Sequence, residues 1–316
     1  MTYELFIQHG TTLMFPPVVD GVTIEWQRKG QPGKLSFECI KTEGLSFSEG
    51  DACRFSVDGT PLFYGFVFEK SRSGSNDKKI KVTVYDQLYY LNNKDYFQYE
   101  NKTATEVVRM LAEDFGLNPG TLEDTGYKIA SRTEDNKSLF DIIQSALDET
   151  LKATTQMYVL YDNAGKLTLS NIGNMKLGLV INEDTAGDYD YKSSIANNTY
   201  NKIRLFREGS DPVTVKSNTI MQWGVLQYAE KVNDDSTNLN NMAASLLKLY
   251  NSKTRSLSIK NALGDTRVRA GTLLVVILGL GDINVSNFML VEQVKHSFKD
   301  GQHLMELKLR GGTFVA

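Results

Sequence analysis

Residues 288–311 read FMLVEQVKHSFKDGQHLMELKLRG, and their pattern decides what kind of fold the rest of the chain completes. Apolar and polar residues alternate as far as Lys299, break at Asp300 and Gly301, and alternate again, as in two strands joined by a two-residue turn. The turn sets the register. Phe298 then faces His303 and His296 faces Met305, so both histidines share one side of the sheet with Val294, Phe298, Met305 and Leu307. Lys295, Ser297, Glu306 and Lys308 point the other way.

A histidine pair suits zinc only when one or two further His, Cys or carboxylate ligands join it. Glu306 lies on the opposite face, and His9, Cys39 and Cys53 have no register with the hairpin. The pair therefore reads as packed, hydrogen-bonded imidazoles on a mostly buried face, and the hairpin as architectural. No metal and no cofactor is expected.

A chain of 316 residues is long enough for two or three domains. Folding at this size buries roughly 75% of the unfolded surface, so no disulfide staple is required. Cys39 and Cys53 fall in register with the apolar faces of strands and read as reduced core thiols. The N-terminal MTYELFIQHG lacks a basic segment followed by an apolar core, so no signal peptide is expected. The most apolar run, LLVVILGL at 273–280, is too short to span a bilayer and suits a buried strand, which argues against membrane insertion. A formal charge of -3, with both signs interspersed, argues against specific nucleic-acid binding and for a chain kept soluble in a cytoplasm.

Residues 1–97 read as short strands punctuated by Gly, Pro, Asp and Ser, as in a small sandwich or barrel. The period then changes. Thr103 and Glu106 form a capping-box pattern ahead of a helical stripe of Val107, Val108, Leu111, Ala112 and Phe115. A second capped helix starts at Ser138 with Asp141 and carries Leu139, Ile142, Ile143, Ala146, Leu147 and Leu151. A hairpin pattern around Asn163, Ala164 and Gly165 follows, so 98–175 reads as a small α+β domain. Residues 176–316 return to strands, interrupted by one helix with Leu239, Met242, Ala243, Leu246, Leu247 and Tyr250 on a single stripe.

Chemistry is hard to find in this pattern. The chain has no G-x-S-x-G, P-loop, H-E-x-x-H, C-x-x-C or dinucleotide fingerprint. The neighbouring carboxylates Glu113 and Asp114, Asp148 and Glu149, and Glu183 and Asp184 read as solvated helix faces or turns. GLGDI and RSGSND precede no helix and read as exposed turns, not phosphate cradles. Tyr89, Tyr90, Tyr96, Phe97 and Tyr99 invite a base- or glycan-stacking reading, but without interleaved cations they read as the seam between the first β region and the helical insert. Catalytic residues are not identified.

The run GTPLFYGFVFEKSRSGSNDKKIKVTVYDQLYYL, with its Phe63-Tyr64-Gly65 step and Asp86, followed by the helix TATEVVRMLAEDFG, resembles the tail hub proteins of contractile phage tails. These are the late control protein D and PBSX-type (XkdQ/YqbQ-like) group. The second half is similar to the same group in order and spacing: SNTIMQWGVLQYAEKVND with Trp223 and Gly224, the helix with Ala243, Leu246 and Leu247, LGDTRVRAGTLLVVIL, and the terminal hairpin with His296 and His303.

The resemblance implies a mainly β fold with an α+β insert: two tube-like β-barrel domains, at 1–97 and 176–316, joined by the small α+β domain at 98–175, with a helix-containing insertion in the second barrel. It implies a non-enzymatic baseplate hub of a phage tail or phage-tail-like bacteriocin (tailocin). Such a homotrimer is a symmetry adapter between a sixfold tail tube and a threefold central spike. Implied neighbours are the tail tube protein, the spike, baseplate wedge proteins and the tape measure protein. Assembly in a bacterial cytoplasm and residence in the released virion or particle follow from the same resemblance. The alternatives are a hub or tail-tip protein of a non-contractile tail, and a cell-wall-targeted hydrolase or glycan-binding module.

Overall fold

The C-terminal hairpin forms in the expected register in a computed structural model, which describes residues 1–74, 76–233, 237–279 and 284–311. Val294 faces Leu307, His296 faces Met305 and Phe298 faces His303. All six are on the inward face, where only His303 keeps partial exposure. Asp300 and Gly301 both take positive φ, 51° and 73°, as a tight two-residue connection requires.

The first hairpin strand, Asn284–Lys299, is 16 residues long and uses its other edge twice. Its first part pairs with Leu273–Gly279, and residues 293–298 pair with Val18–Gln27 near the N-terminus. The patterns of 1–97 and 176–316 predict two separate β regions; this strand joins them into one 13-stranded sheet. Glu292 secures the crossing. It accepts hydrogen bonds from Arg28 Nε at 2.7 Å and from Arg310 Nε, while the Arg28 amide donates to the Glu292 carbonyl at 2.9 Å.

Each half of the sheet is curled. The N-terminal half runs Thr12–Met14, Tyr3–His9, Ala52–Val57, Thr60–Ser73, Asn76–Tyr85, Lys34–Ile40, Val18–Gln27. Its two end strands are consecutive in the chain. Four residue steps from Met14 to Val18 cover at most about 14 Å, whereas seven flat strands would set those ends about 29 Å apart. The C-terminal half runs Asp188–Ser194, Thr254–Leu263, Gln302–Gly311, Asn284–Lys299, Leu273–Gly279, Lys176–Ile181, and its end strands are again consecutive. No ladder among the described residues links the end strands of either half.

Strict alternation fills the concave side. Leu35, Phe37 and Cys39 are buried along one strand, and Ile80, Val82 and Val84 along its neighbour. They share one core with Leu257, Ile259, Val276, Phe298 and Met305 from the far end of the chain. Both cysteines are buried and unpaired. Gly65 is required by space, since a Cβ there would lie 2.3 Å from the Tyr85 carbonyl oxygen.

The insert has its own core. The α1 helix (Ala104–Asp114) carries the expected capping box, with Thr103 Oγ1 accepting from the Glu106 amide at 3.1 Å and Glu106 Oε2 from the Thr103 amide at 2.7 Å. The α2 helix (Leu139–Thr154) is capped by Ser138, as expected. Their apolar stripes pack with Tyr99, Leu167 and Leu169. Residues 200–250 build a further small unit inside the second β region. There α3 (Ile220–Trp223) and α4 (Leu239–Tyr250) accompany a three-stranded sheet centred on Lys202–Phe206, over a separate core of Ile203, Leu205, Ala243 and Leu246. Mainly β with an α+β insert is the observed class.

Candidate functional site

The loop at 264–270 touches both β regions and the insert at once. At its start Gly264 donates its amide to the His303 carbonyl at 2.9 Å and lies under the His303 ring, where a Cβ would come within 2.1 Å of the ring carbon Cγ. Val268 then offers its carbonyl oxygen to His296 Nε2 at 2.9 Å. A carbonyl only accepts, so Nε2 carries the proton and Nδ1 is left as an acceptor, filled by His303 Nε2 at 2.8 Å. Burial, together with the charge each ring would impose on the other, pushes His296 down to about 3. Burial likewise lowers His303 to about 4.

Arg269, next in the loop, stacks over Tyr161 at 4.0 Å and Trp26 at 5.2 Å. It donates to the Asp162 carbonyl oxygen at 2.6 Å, which ties the second β region to the insert. Asp86 fixes, at the end of the first β region, the turn whose Leu88 and Leu91 pack in the insert's core. Its Oδ2 accepts from the Gly33 amide at 2.9 Å and its Oδ1 from the Leu88 amide at 3.0 Å, capping the short 3-10 turn Gln87–Asn92. Gly33 admits nothing larger, because a Cβ there would lie 2.3 Å from Asp86 Oδ2 and 2.7 Å from the Trp26 indole. Gln87 completes the seam by donating to Asp162 Oδ2 at 2.6 Å while its own oxygen accepts from the Asn118 amide at 2.7 Å.

Burial, with the nearby Asp162 charge adding to it, holds the Asp86 carboxyl well above the ordinary carboxylate range, and burial also raises Asp162. Two raised carboxyls beside an arginine have the profile of an acid–base dyad. Their geometry has another use here. Each of the four carboxyl oxygens already receives a protein donor, Gly165 supplying the fourth at 2.7 Å, so the pair is committed to holding three backbone amides and the Gln87 side chain. This junction positions three modules.

The sequence-marked carboxylate neighbours do not converge. Glu113, Asp114, Glu183 and Asp184 are exposed, Asp148 pairs with Lys29 at 3.2 Å, and Glu149 with Arg132 at 3.1 Å. His9 is exposed and 2.8 Å from Asp51. No group of three or more His, Cys, Asp or Glu placed to hold a metal occurs among the described residues. The turn in GLGDI lies outside the described residues beyond Gly279, as does Ser75 of RSGSND.

The five marked aromatics separate into three sets. Tyr89 and Tyr90 stack with Phe66, Phe68 and Tyr85 on the outer side of the seam, with the Phe68 and Tyr89 centroids 4.1 Å apart. Phe97 and Tyr99 belong to the core of the insert, and Tyr96 is exposed. A second outward apolar face crosses the other half of the sheet: Val180 and Phe288 are register partners of Val275 on either side, and Ile277 follows. Of these, Val180, Phe288 and Ile277 are exposed.

Two curled sheet halves on one core, clamped to an α+β insert, make up the fold of phage tail proteins. The 43 kDa tail protein of prophage MuSo2 from Shewanella oneidensis superposes with a TM-score of 0.69, at 14% identity, over 97% of this chain and 98% of its own. The chain belongs to the YQBQ-like family, whose model matches residues 22–310. It is 30% identical to the YqbQ protein of Bacillus subtilis (strain 168), over 96% of this chain and 95% of that protein. It is 29% identical, over the same shares, to the XkdQ protein of the phage-like element PBSX from that strain.

Gly33, Trp26, Asp162 and Arg269 carried no signal in the sequence, because each is ordinary in its own local pattern. Asp86 stands out only through the family resemblance.

Proposed function

We propose that this chain is a structural, non-enzymatic baseplate hub of a contractile phage tail or a phage-tail-like bacteriocin. In this reading three copies form a ring that adapts the sixfold tail tube to the threefold central spike. Baseplate wedge proteins and the tape measure protein are further neighbours, and the chain is built in the bacterial cytoplasm before release in the particle. The observation that carries the reading is likeness to a prophage tail protein over nearly the full length of both chains. Kinship with a protein of the phage-like element PBSX supports it. So do the two outward apolar faces, since patches of this kind mark surfaces that a partner covers. Obligate interfaces bury upwards of about 2,000 Å², which requires such faces on more than one side of a ring subunit.

The test is the solution mass by light scattering over a concentration series, with and without the candidate spike protein. A trimer in either condition is the expected result, and Phe288→Asp or Tyr89→Asp is expected to reduce it to monomer without unfolding. A strict monomer in both conditions, together with turnover of purified peptidoglycan, would replace the hub by the wall-directed alternative.

A further inference from the structure

The insert and the small unit at 200–250 meet across a cleft of about 690 Å³ that neither core fills. One wall is the strand Lys128–Ser138, which among the described residues pairs only with Lys94–Thr103; the opposite wall includes the end of Gln227–Lys231, which among them pairs only with Lys202–Phe206. Each wall strand therefore has one edge without a ladder partner among the described residues. The lining shows which way the first edge points. All seven successive residues 128–134 of this strand line the cleft. A strand facing a cavity with its flat side would present alternate residues only, so it is the edge, with its unpaired N–H and C=O groups, that borders the space.

The charges are sorted by depth. On the floor, Glu134 and Glu149 are held by Arg132 at 2.9 and 3.1 Å, and Glu230 by Lys152 at 2.6 Å. On the rim, Lys128 and Lys231 are about half exposed, at 51% and 50%. Their partners Glu106 and Glu208 are themselves 36% and 88% exposed, and surface pairs of this kind exchange at little cost. Anions are thus satisfied below and cations exchangeable above. These carboxylates, of which Glu134 is fully buried and Glu149 and Glu230 partly so, disfavour a phosphate backbone, whereas an added strand is recognised mainly through its main chain. The register shift between Glu134 and Lys137, with Asn136 at φ 50°, ends the regular edge and limits what it can pair.

We infer that this cleft takes an extended acidic segment of another polypeptide, which adds as a strand to the free edge of Lys128–Ser138 while its carboxylates engage Lys128 and Lys231. The inference does not depend on the hub reading.

The probe is a fluorescein-labelled octapeptide, Glu-Thr-Glu-Val-Glu-Thr-Glu-Val, titrated with the full chain by anisotropy, beside its Lys-for-Glu analogue and a single-stranded oligothymidylate. Binding of the acidic peptide alone is expected, and Lys128→Gln/Lys231→Gln is expected to weaken it by about tenfold. Amide exchange in the complex is expected to slow at alternate residues of 128–134. No binding at millimolar peptide, equal binding of the Lys analogue, preference for the oligonucleotide, or protection located elsewhere would overturn the inference. Both substitutions are at exposed side chains, so a circular dichroism spectrum identical to wild type separates lost binding from lost folding.

Discussion

His296 Nδ1 and His303 Nε2 lie 2.8 Å apart across the terminal hairpin, and the remaining nitrogen of His296 is committed to the Val268 carbonyl. The pair needs His296 neutral, because protonation of that ring would turn its one acceptor into a second donor facing the His303 N–H.

This arrangement makes stability fall on acidification. The folded values, about 3 and about 4, are below the ordinary histidine value of 6.5, so the unfolded chain takes up protons first. The contribution is complete above pH 6.5 and declines as pH drops toward 4, by about 1.4 kcal/mol per pH unit for His296 while it stays neutral. Imidazole NMR signals of both residues should hold their neutral positions from pH 8 to 5; a midpoint near 6.5 for either would contradict the pairing.

Gly264 and His303 form a tight steric pair. In Gly264→Ala the new methyl would meet the ring at 2.1 Å, and the expected cost is about 1–3 kcal/mol from forced displacement of the half-buried ring. Urea unfolding of the single variants and of Gly264→Ala/His303→Ala supplies the check. The double variant should lose less than the sum of the two single losses.

Asp86→Ala should destabilise the chain by leaving the Gly33 and Leu88 amides without an acceptor, at about 1–3 kcal/mol for each buried donor. Asp86→Asn, of the same shape, retains one acceptor oxygen and should lose less. Exchange of these two amides before global unfolding is the expected local readout. An Ala variant as stable as wild type would remove Asp86 from the junction.

Neither cysteine should react with a thiol reagent in the folded protein. Burial raises Cys39 to about 11 and Cys53 further still, so almost no thiolate exists at pH 8. Labelling with dithiobis(nitrobenzoate) should yield no signal in buffer and two equivalents in urea. Rapid labelling of the native chain would mean that the N-terminal half of the sheet opens readily.

The sequence by itself determined every feature that depends on near neighbours. The hairpin register followed from alternation around Asp300 and Gly301, and the starts of α1 and α2 from Thr103 with Glu106 and Ser138 with Asp141, because turns and caps are closed by residues a few positions apart. Buried faces such as Leu35, Phe37 and Cys39 were legible for the same reason.

Only the tertiary structure decided that the two β regions are one sheet. Asn284–Lys299 pairs with Val18–Gln27 across most of the chain length, and nothing in either strand's pattern specifies which edge it meets. The junction was hidden for the same cause. Gly33 and Asp86 are 53 residues apart, and Arg269 reaches Asp162 over 107, so each contact exists only after the modules have docked. Local pattern specifies which face of an element is apolar. Which elements meet, and which edges remain open along the cleft, is set by long-range packing that one-dimensional periodicity does not encode.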